Sequence, residues 1–270
     1  MKRSVKTLLT LVLTLVFLFS TLQYLKSRQE KAQGNSTYEE ALTLAVSTRQ
    51  DVSQPTPVTE TPAAQPQWVA APVEEEDPHI KFLQELDLAA LREVNPDVVG
   101  WILIPDTEIN YPLLQGKDND YYLNRTWDEQ SNAMGSIFLE YLSSPDLTDF
   151  NTIVYGHNMN DGSMFAGLRE YRNQEFREEH PYVYILSDFG VYRYEVFSSY
   201  YANVKSNTYG LVFSTETSRT QFLDKITGDS VIDTGLRPET TDRILTLSTC
   251  SGAGYSHRWV VHARLKMVLQ

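Results

Sequence analysis

The chain has 270 residues with a single cysteine, 23 lysines and arginines against 35 aspartates and glutamates, and a formal net charge of −12. A balance this acidic argues against nucleic acid as the main partner, because phosphate binding needs a clustered basic surface, and one cysteine excludes an internal disulfide. Aromatic content of 11%, with 16 tyrosines, fits a compact, sheet-rich domain rather than a disordered chain.

Residues 1–6 carry Lys2, Arg3 and Lys6, and residues 7–25, TLLTLVLTLVFLFSTLQYL, contain no charge. Nineteen such residues are long enough to cross the hydrocarbon core of a bilayer as a helix. The competing reading is a cleaved signal peptide; the run is longer than a usual signal core and no A-x-A site follows it, which favours an uncleaved anchor. Lys26, Arg28 and Lys31 follow the span, so the positive-inside count does not decide orientation. The expected N-terminus is inside, because everything downstream reads as soluble.

Residues 26–77 are expected to form an extracellular stalk or linker, partly disordered. Within it, STYEEALTLAV (36–46) predicts a short helix, with Ser36 and Glu39 at capping-box spacing. From 47 to 77 the composition shifts to proline and polar residues without a sustained period, as in a semi-rigid spacer. A folded domain is expected over 78–270. Asp77-Pro78 is a helix-start signal, and Asp87 caps a second short helix that ends before Asn95-Pro96.

Strand signals then dominate: 98–104, 108–114, 136–142, 151–157, 181–187, 191–201, 243–250 and 258–268. Apolar spacing predicts helices over 161–171 and 216–227. The expected fold is mainly β: eight strands in a closed or nearly closed barrel, with N-terminal helices and a few short ones, behind a transmembrane anchor.

Cys250 ends the run ILTLSTC and precedes the loop Ser251-Gly252-Ala253-Gly254. A lone cysteine is ordinarily a small buried apolar side chain. A strand end opening into a glycine loop can instead present a thiol on a rigid base, and a thiolate needs a base or a positive charge nearby. Arg258 starts the next apolar run; paired antiparallel across the loop, it lies at the same sheet end and could hold a developing oxyanion. His157 ends another strand run, in TIVYGHNMNDGSMF, as a Cys–His pair requires. His257 is a rival base, disfavoured by its charged neighbour, and His180 and His262 read as loop and strand residues. A metal site is not expected, for want of a second cysteine or an H-x-x-x-H spacing.

The ordered set TLSTC with an arginine eight residues on, YGHNMNDGSMF, NPDVVGWILIPDTEINYPLLQGKDNDYYL and GSIFLEY resembles the class B sortases from about residue 80 to the C-terminus. The resemblance implies a membrane-anchored cysteine transpeptidase of the Gram-positive cell surface, of the cysteine-peptidase class of hydrolases (EC 3.4.22 type), with a catalytic domain outside the membrane and no cofactor. It implies that Cys250 is the nucleophile, His157 the general acid/base and Arg258 the oxyanion or substrate-positioning group. Asn119, Leu123, Ser248 and Thr249 map onto the family's signal-binding groove, and segment 201–220 onto its wall. Implied partners are secreted proteins with a C-terminal sorting signal and an amine from a peptidoglycan precursor or a pilin subunit. Some members carry an acidic residue just after the cysteine where Ser251 stands here. Two other readings remain open on the residues: a surface cysteine protease releasing product to water, and a non-enzymatic, membrane-tethered binding module with Cys250 in its core.

Overall fold

The computed structural model describes residues 2–50, 77–250 and 256–269. Eight strands close into a barrel in the order β1-β2-β3-β4-β7-β8-β6-β5, where β1 is Val98–Leu103, β2 Asn110–Leu114, β3 Ile137–Leu139, β4 Asn151–Gly156, β5 Tyr182–Ser187, β6 Gly190–Asn203, β7 Ile244–Cys250 and β8 His257–Leu269. The β2–β3 and β4–β7 pairs are parallel and the others antiparallel. All eight predicted strands are present, with ends moved by a few residues; predicted 136–142 shrinks most, because after a last backbone bond from Glu140 N to Ile153 O the chain turns, with Ser143 N donating back to Glu140 O.

Closure into a barrel leaves no strand edge unpaired, so both faces of the sheet can be buried. By register Ile102, Val154, Ile185, Tyr194 and Leu247 share the inner face, while Trp101, Phe138 and Tyr184 are buried on the outer one, each 3% exposed or less. A second cluster of Phe197, Phe222, Ile226 and Val260 packs the helix Glu216–Gly228 against the outside of β6 and β8.

The helices are α1 Lys2–Gln50, α2 Pro78–Gln84, α3 Leu88–Val94, α4 Gln174–Glu179 and α5 Glu216–Gly228. The caps read at Asp77 and Asp87 are made: Asp77 accepts from His79 N at 3.0 Å, and Asp87 from Ala89 N at 2.9 Å. Asp77 also accepts from Tyr184 Oη and Arg193 Nη1, tying α2 to β5 and β6. Burial opposes ionisation of Asp77, yet these hydrogen bonds outweigh it and hold the carboxyl below its ordinary range. The helix predicted over 161–171 is a 3-10 helix from Ala166 to Arg172, and the one over 216–227 is α5.

The N-terminal segment differs from expectation. Residues 36–46 are not a separate capped helix but the interior of α1, which runs 49 residues. Ser36 and Glu39 therefore cap nothing; no proline interrupts 26–50, and the helix continues because tertiary packing rewards it. Residues 26–50, expected within a stalk, are helical, and Tyr38, Ala41 and Ala45 are buried against the barrel. The first half of α1 is long and apolar enough to cross a membrane. Its large apolar side chains from Leu8 to Leu25 are exposed, as an anchor's would be outside lipid. The proline-rich segment 51–76 lies outside the described residues.

Candidate active site

The site begins with strand register. In the parallel β4–β7 pair Gly156 faces Thr249, so the residues that follow, His157 and Cys250, leave the two strands abreast, about 5 Å apart across the ladder. In the antiparallel β7–β8 pair Cys250 faces Arg258. Three neighbouring strands thus deliver Cys250, His157 and Arg258 to one end of the barrel from positions nearly 100 residues apart in sequence.

His157 is half-buried, with Nε2 2.6 Å from Leu123 O. A carbonyl only accepts, so Nε2 carries the proton and, in the neutral ring, Nδ1 is left with its lone pair. Phe165 N donates to His157 O at 2.9 Å, which fixes the backbone of the same residue. The preceding Gly156 is required by contact: a β-carbon there would lie 2.8 Å from the ring of Phe165.

Beside these strand ends opens a cleft of about 310 Å³ lined by Asn119, Leu123, Phe138, Tyr155, Gly156, Val204, Tyr209, Ser248 and Arg258. It is mostly apolar with a few polar groups, the usual character of a ligand-binding pocket. Arg258 is half-buried and donates from Nη1 to His257 O at 3.2 Å. Tyr209 Oη and Ser248 Oγ lie 3.1 Å apart across the wall.

Three of the four expected groove residues, Asn119, Leu123 and Ser248, line this cleft. Thr249 does not. It is 1% exposed, and the alternation of a strand sends its side chain to the face opposite Ser248; its Oγ1 has no hydrogen-bond partner among the described residues. The rival base His257 is likewise turned away by alternation from Arg258 and stacks on Tyr201 with centroids 5.0 Å apart. His180 bonds to Pro105 O, and His262 is fully buried in the core.

Sequence reasoning missed a carboxylate beneath the cleft. Glu140, 5% exposed, accepts on Oε2 from Asn119 Nδ2 at 2.7 Å and from Tyr155 Oη at 2.9 Å. Asn119 Oδ1 accepts from Tyr141 N at 3.0 Å, so the orientation of its amide is fixed at both ends. Burial, then the Glu140 charge and hydrogen bond, push the Tyr155 hydroxyl up and keep it protonated. Tyr155 stands two residues before His157, the period that puts both on one face of β4, and that spacing could have flagged it. Glu140 carried no such signal. Segment 201–220 supplies Val204 and Tyr209 to the wall, where a pocket role was expected for it. No cluster of three or more metal-ligating side chains occurs among the described residues.

Residues 102–266 match the family model of the sortase domain. The chain is 42% identical to sortase B of Listeria monocytogenes over 164 residues, covering 61% of this chain and 67% of that protein. It is 38% identical to sortase B of Staphylococcus aureus over the same length and coverage. The structure of a Staphylococcus aureus sortase B–substrate complex superposes with a TM-score of 0.71 at 30% identity, covering 89% of this chain and all of that one. A barrel closed in this order, a strand-end Cys, His and Arg, and these likenesses place the chain in the sortase family, among the class B cysteine transpeptidases.

Proposed function

We propose that Cys250, His157 and Arg258 carry out acyl transfer from a C-terminal sorting signal, bound in the cleft, to an amine. The observation that supports this reading most is the double register Gly156↔Thr249 and Cys250↔Arg258, which aligns three strand ends beside a preformed pocket. The Cys250 thiolate attacks the threonine carbonyl of the signal, forming a C–S bond and a tetrahedral oxyanion. Arg258 stabilises that charge with fixed donors in a partly desolvated setting. Collapse breaks the C–N bond, and imidazolium His157 gives its Nδ1 proton to the leaving amine. The acyl group, now a thioester, reacts with a second amine; His157 takes that amine's proton, and the thiolate leaves. The proton count closes over the cycle, so no cofactor is required.

Asn119, Leu123 and Ser248 are the proposed signal contacts, with Asn119 presented by Glu140. The acceptor amine belongs to a peptidoglycan precursor or a pilin subunit, and transfer to water would give the hydrolase reaction of the EC 3.4.22 type. Residues 7–25 are the proposed membrane span, with residues 1–6 inside and 78–270 at the outer surface, which matches the exposed apolar half of α1.

Intact-mass spectrometry of the full chain in detergent micelles, with a panel of sorting-signal peptides, tests the proposal. The expected result is an acyl adduct that Cys250→Ala abolishes and an added amine converts to a ligated peptide. An adduct released only to water would support a protease instead. A folded chain that forms no adduct and resists thiol labelling would support a binding module.

A further inference from the structure

The second half of α1 reaches the supports of the site. Tyr38, 7% exposed, is the centre of that contact. Its hydroxyl donates to Gly135 O at 2.6 Å and lies 3.1 Å from Ser136 Oγ. Its ring meets that of Tyr111 edge-on, with centroids 5.2 Å apart.

Each neighbour bears on His157. Gly135 has φ +61°, and a β-carbon there would fall 2.9 Å from His157 Cδ2 and 2.6 Å from Leu123 O. The bare α-carbon therefore packs against the edge of the imidazole and against the carbonyl that accepts its Nε2 proton. Ser136 N donates to Tyr122 O at 2.9 Å, fixing the residue before Leu123. On the other side, Tyr111 Oη accepts from Met164 N at 3.1 Å, and the next residue, Phe165, donates to His157 O. One tyrosine thus touches the groups that set both the ring and the backbone of His157. Two further bonds fasten the same loop to the same helix: Trp127 Nε1 to Thr37 O and Asn132 Nδ2 to Glu30 O, both 2.8 Å.

We infer that residues 30–45 of α1 are part of the catalytic apparatus and that Tyr38 is a positioning residue for His157, holding the ring so that Nδ1 exchanges protons. The inference rests on the reading of His157 as the acid/base. The helix that contains the proposed anchor then also sets the geometry of the site, and detaching it changes the chemistry as well as the location.

The test uses the full chain in detergent micelles. Tyr38→Phe keeps the ring contact with Tyr111 and removes only the hydroxyl. Three readouts are taken: the pH dependence of Cys250 alkylation by iodoacetamide; the carbon-13 titration of histidine Cε1, with His157 assigned through His157→Gln; and kcat and KM on whichever panel peptide gives the largest adduct. Loss of one neutral hydrogen bond predicts a kcat about fivefold lower. KM should change less than kcat, because the hydroxyl removed acts on the Leu123 carbonyl that holds the ring and not on a side chain proposed to meet the signal. The titration midpoint of His157 and the alkylation profile should move together. A folded Tyr38→Phe chain with unchanged kcat and an unchanged His157 titration overturns the inference. Should that variant not fold, Asn132→Ala, which releases the loop from Glu30, must move the His157 titration in the same sense, and no movement overturns it equally. Full activity in His157→Gln would instead sink the acid/base reading. An inert Tyr38→Phe beside an inactive His157→Gln sinks only the role of Tyr38.

Discussion

Two histidines on strands that flank β7 have opposite fates. His157, at the open end of β4, is half-buried beside a cleft and donates a hydrogen bond from Nε2 to a backbone carbonyl. His262, in the middle of β8, is fully buried, with Phe197, Tyr200 and Phe222 around its ring. Thr246 Oγ1 donates to Asn151 Oδ1 at 2.6 Å, so the 2.9 Å contact between Thr246 and His262 Nδ1 needs the ring's proton. Nε2 then accepts from Tyr200 Oη at 3.3 Å. Burial pushes the imidazole of His262 down to about 3 and keeps it neutral. Asn151 Nδ2 donates onward to Gly210 O at 2.9 Å, next to the pocket residue Tyr209. One histidine stands beside the cleft, where the proposed mechanism uses it as acid/base; the other is a neutral strut that braces the pocket wall. Exposure and hydrogen-bond partners, rather than residue type, separate the two roles.

The comparison is broken most sharply by substituting each histidine in turn. His157→Gln should lower kcat/KM by about 10²- to 10⁴-fold in a folded chain, the usual contribution of a general acid/base. His262→Gln should lower thermal stability while leaving kcat/KM within about tenfold. Steady-state kinetics and a thermal melt on both variants decide the matter, and equal activity loss in the two would erase the distinction.

Next in size is Arg258→Gln, expected to cost about 10²-fold, mainly in kcat, if the guanidinium meets charge that develops in the transition state. Arg258→Lys should recover only part of this, since an ammonium lacks the planar fork. A rise in KM alone would reassign Arg258 to ground-state binding.

Glu140→Ala strands two donors, Asn119 Nδ2 and Tyr155 Oη, in a buried setting. A loss of about 1–3 kcal/mol in stability is expected, with a raised KM for the signal peptide. Denaturant unfolding and peptide kinetics check this, and an unchanged KM would separate Glu140 from the cleft.

The smallest effect per step is in pH. The folded pKa of His262 is depressed below its ordinary 6.5 to about 3. Its contribution to stability is therefore fully present above pH 6.5 and is lost as pH falls toward 3, because the unfolded chain binds the proton first. The slope from this group is at most about 1.4 kcal/mol per pH unit. Unfolding free energies of wild type and His262→Phe between those limits should converge as pH falls; parallel curves would deny that His262 is buried neutral.

Much of the molecule could be read from local pattern. The eight strands announced themselves as short apolar or alternating runs between turn residues, and Asp77-Pro78 and Asp87 announced their helices by capping chemistry. Strand-end positions singled out Cys250, His157 and Arg258, and resemblance gave them roles. Asn119, Leu123 and Ser248 followed by motif. Thr249 did not reach the cleft, because motif proximity ignores the alternation that turns it inward. Tyr155 was missed although its spacing from His157 could have flagged it, and Glu140 was missed because its meaning comes only from being brought against Asn119 and Tyr155.

The sequence by itself determined the eight strands, the two helices started by Asp77 and Asp87, the long apolar run near the N-terminus and the single thiol, since each is fixed by neighbours a few residues away. Only the tertiary structure decided that β4 lies parallel to β7 in the register that sets His157 beside Cys250, that Glu140 sits beneath the cleft, and that residues 30–45 lie along the loop behind the imidazole. The strand and helix pairings join residues 93 to 102 positions apart, Glu140 meets Asn119 and Tyr155 at separations of 21 and 15, and no local period encodes any of them. They follow from closing eight twisted strands around one core, where burial of all the apolar faces at once permits few registers.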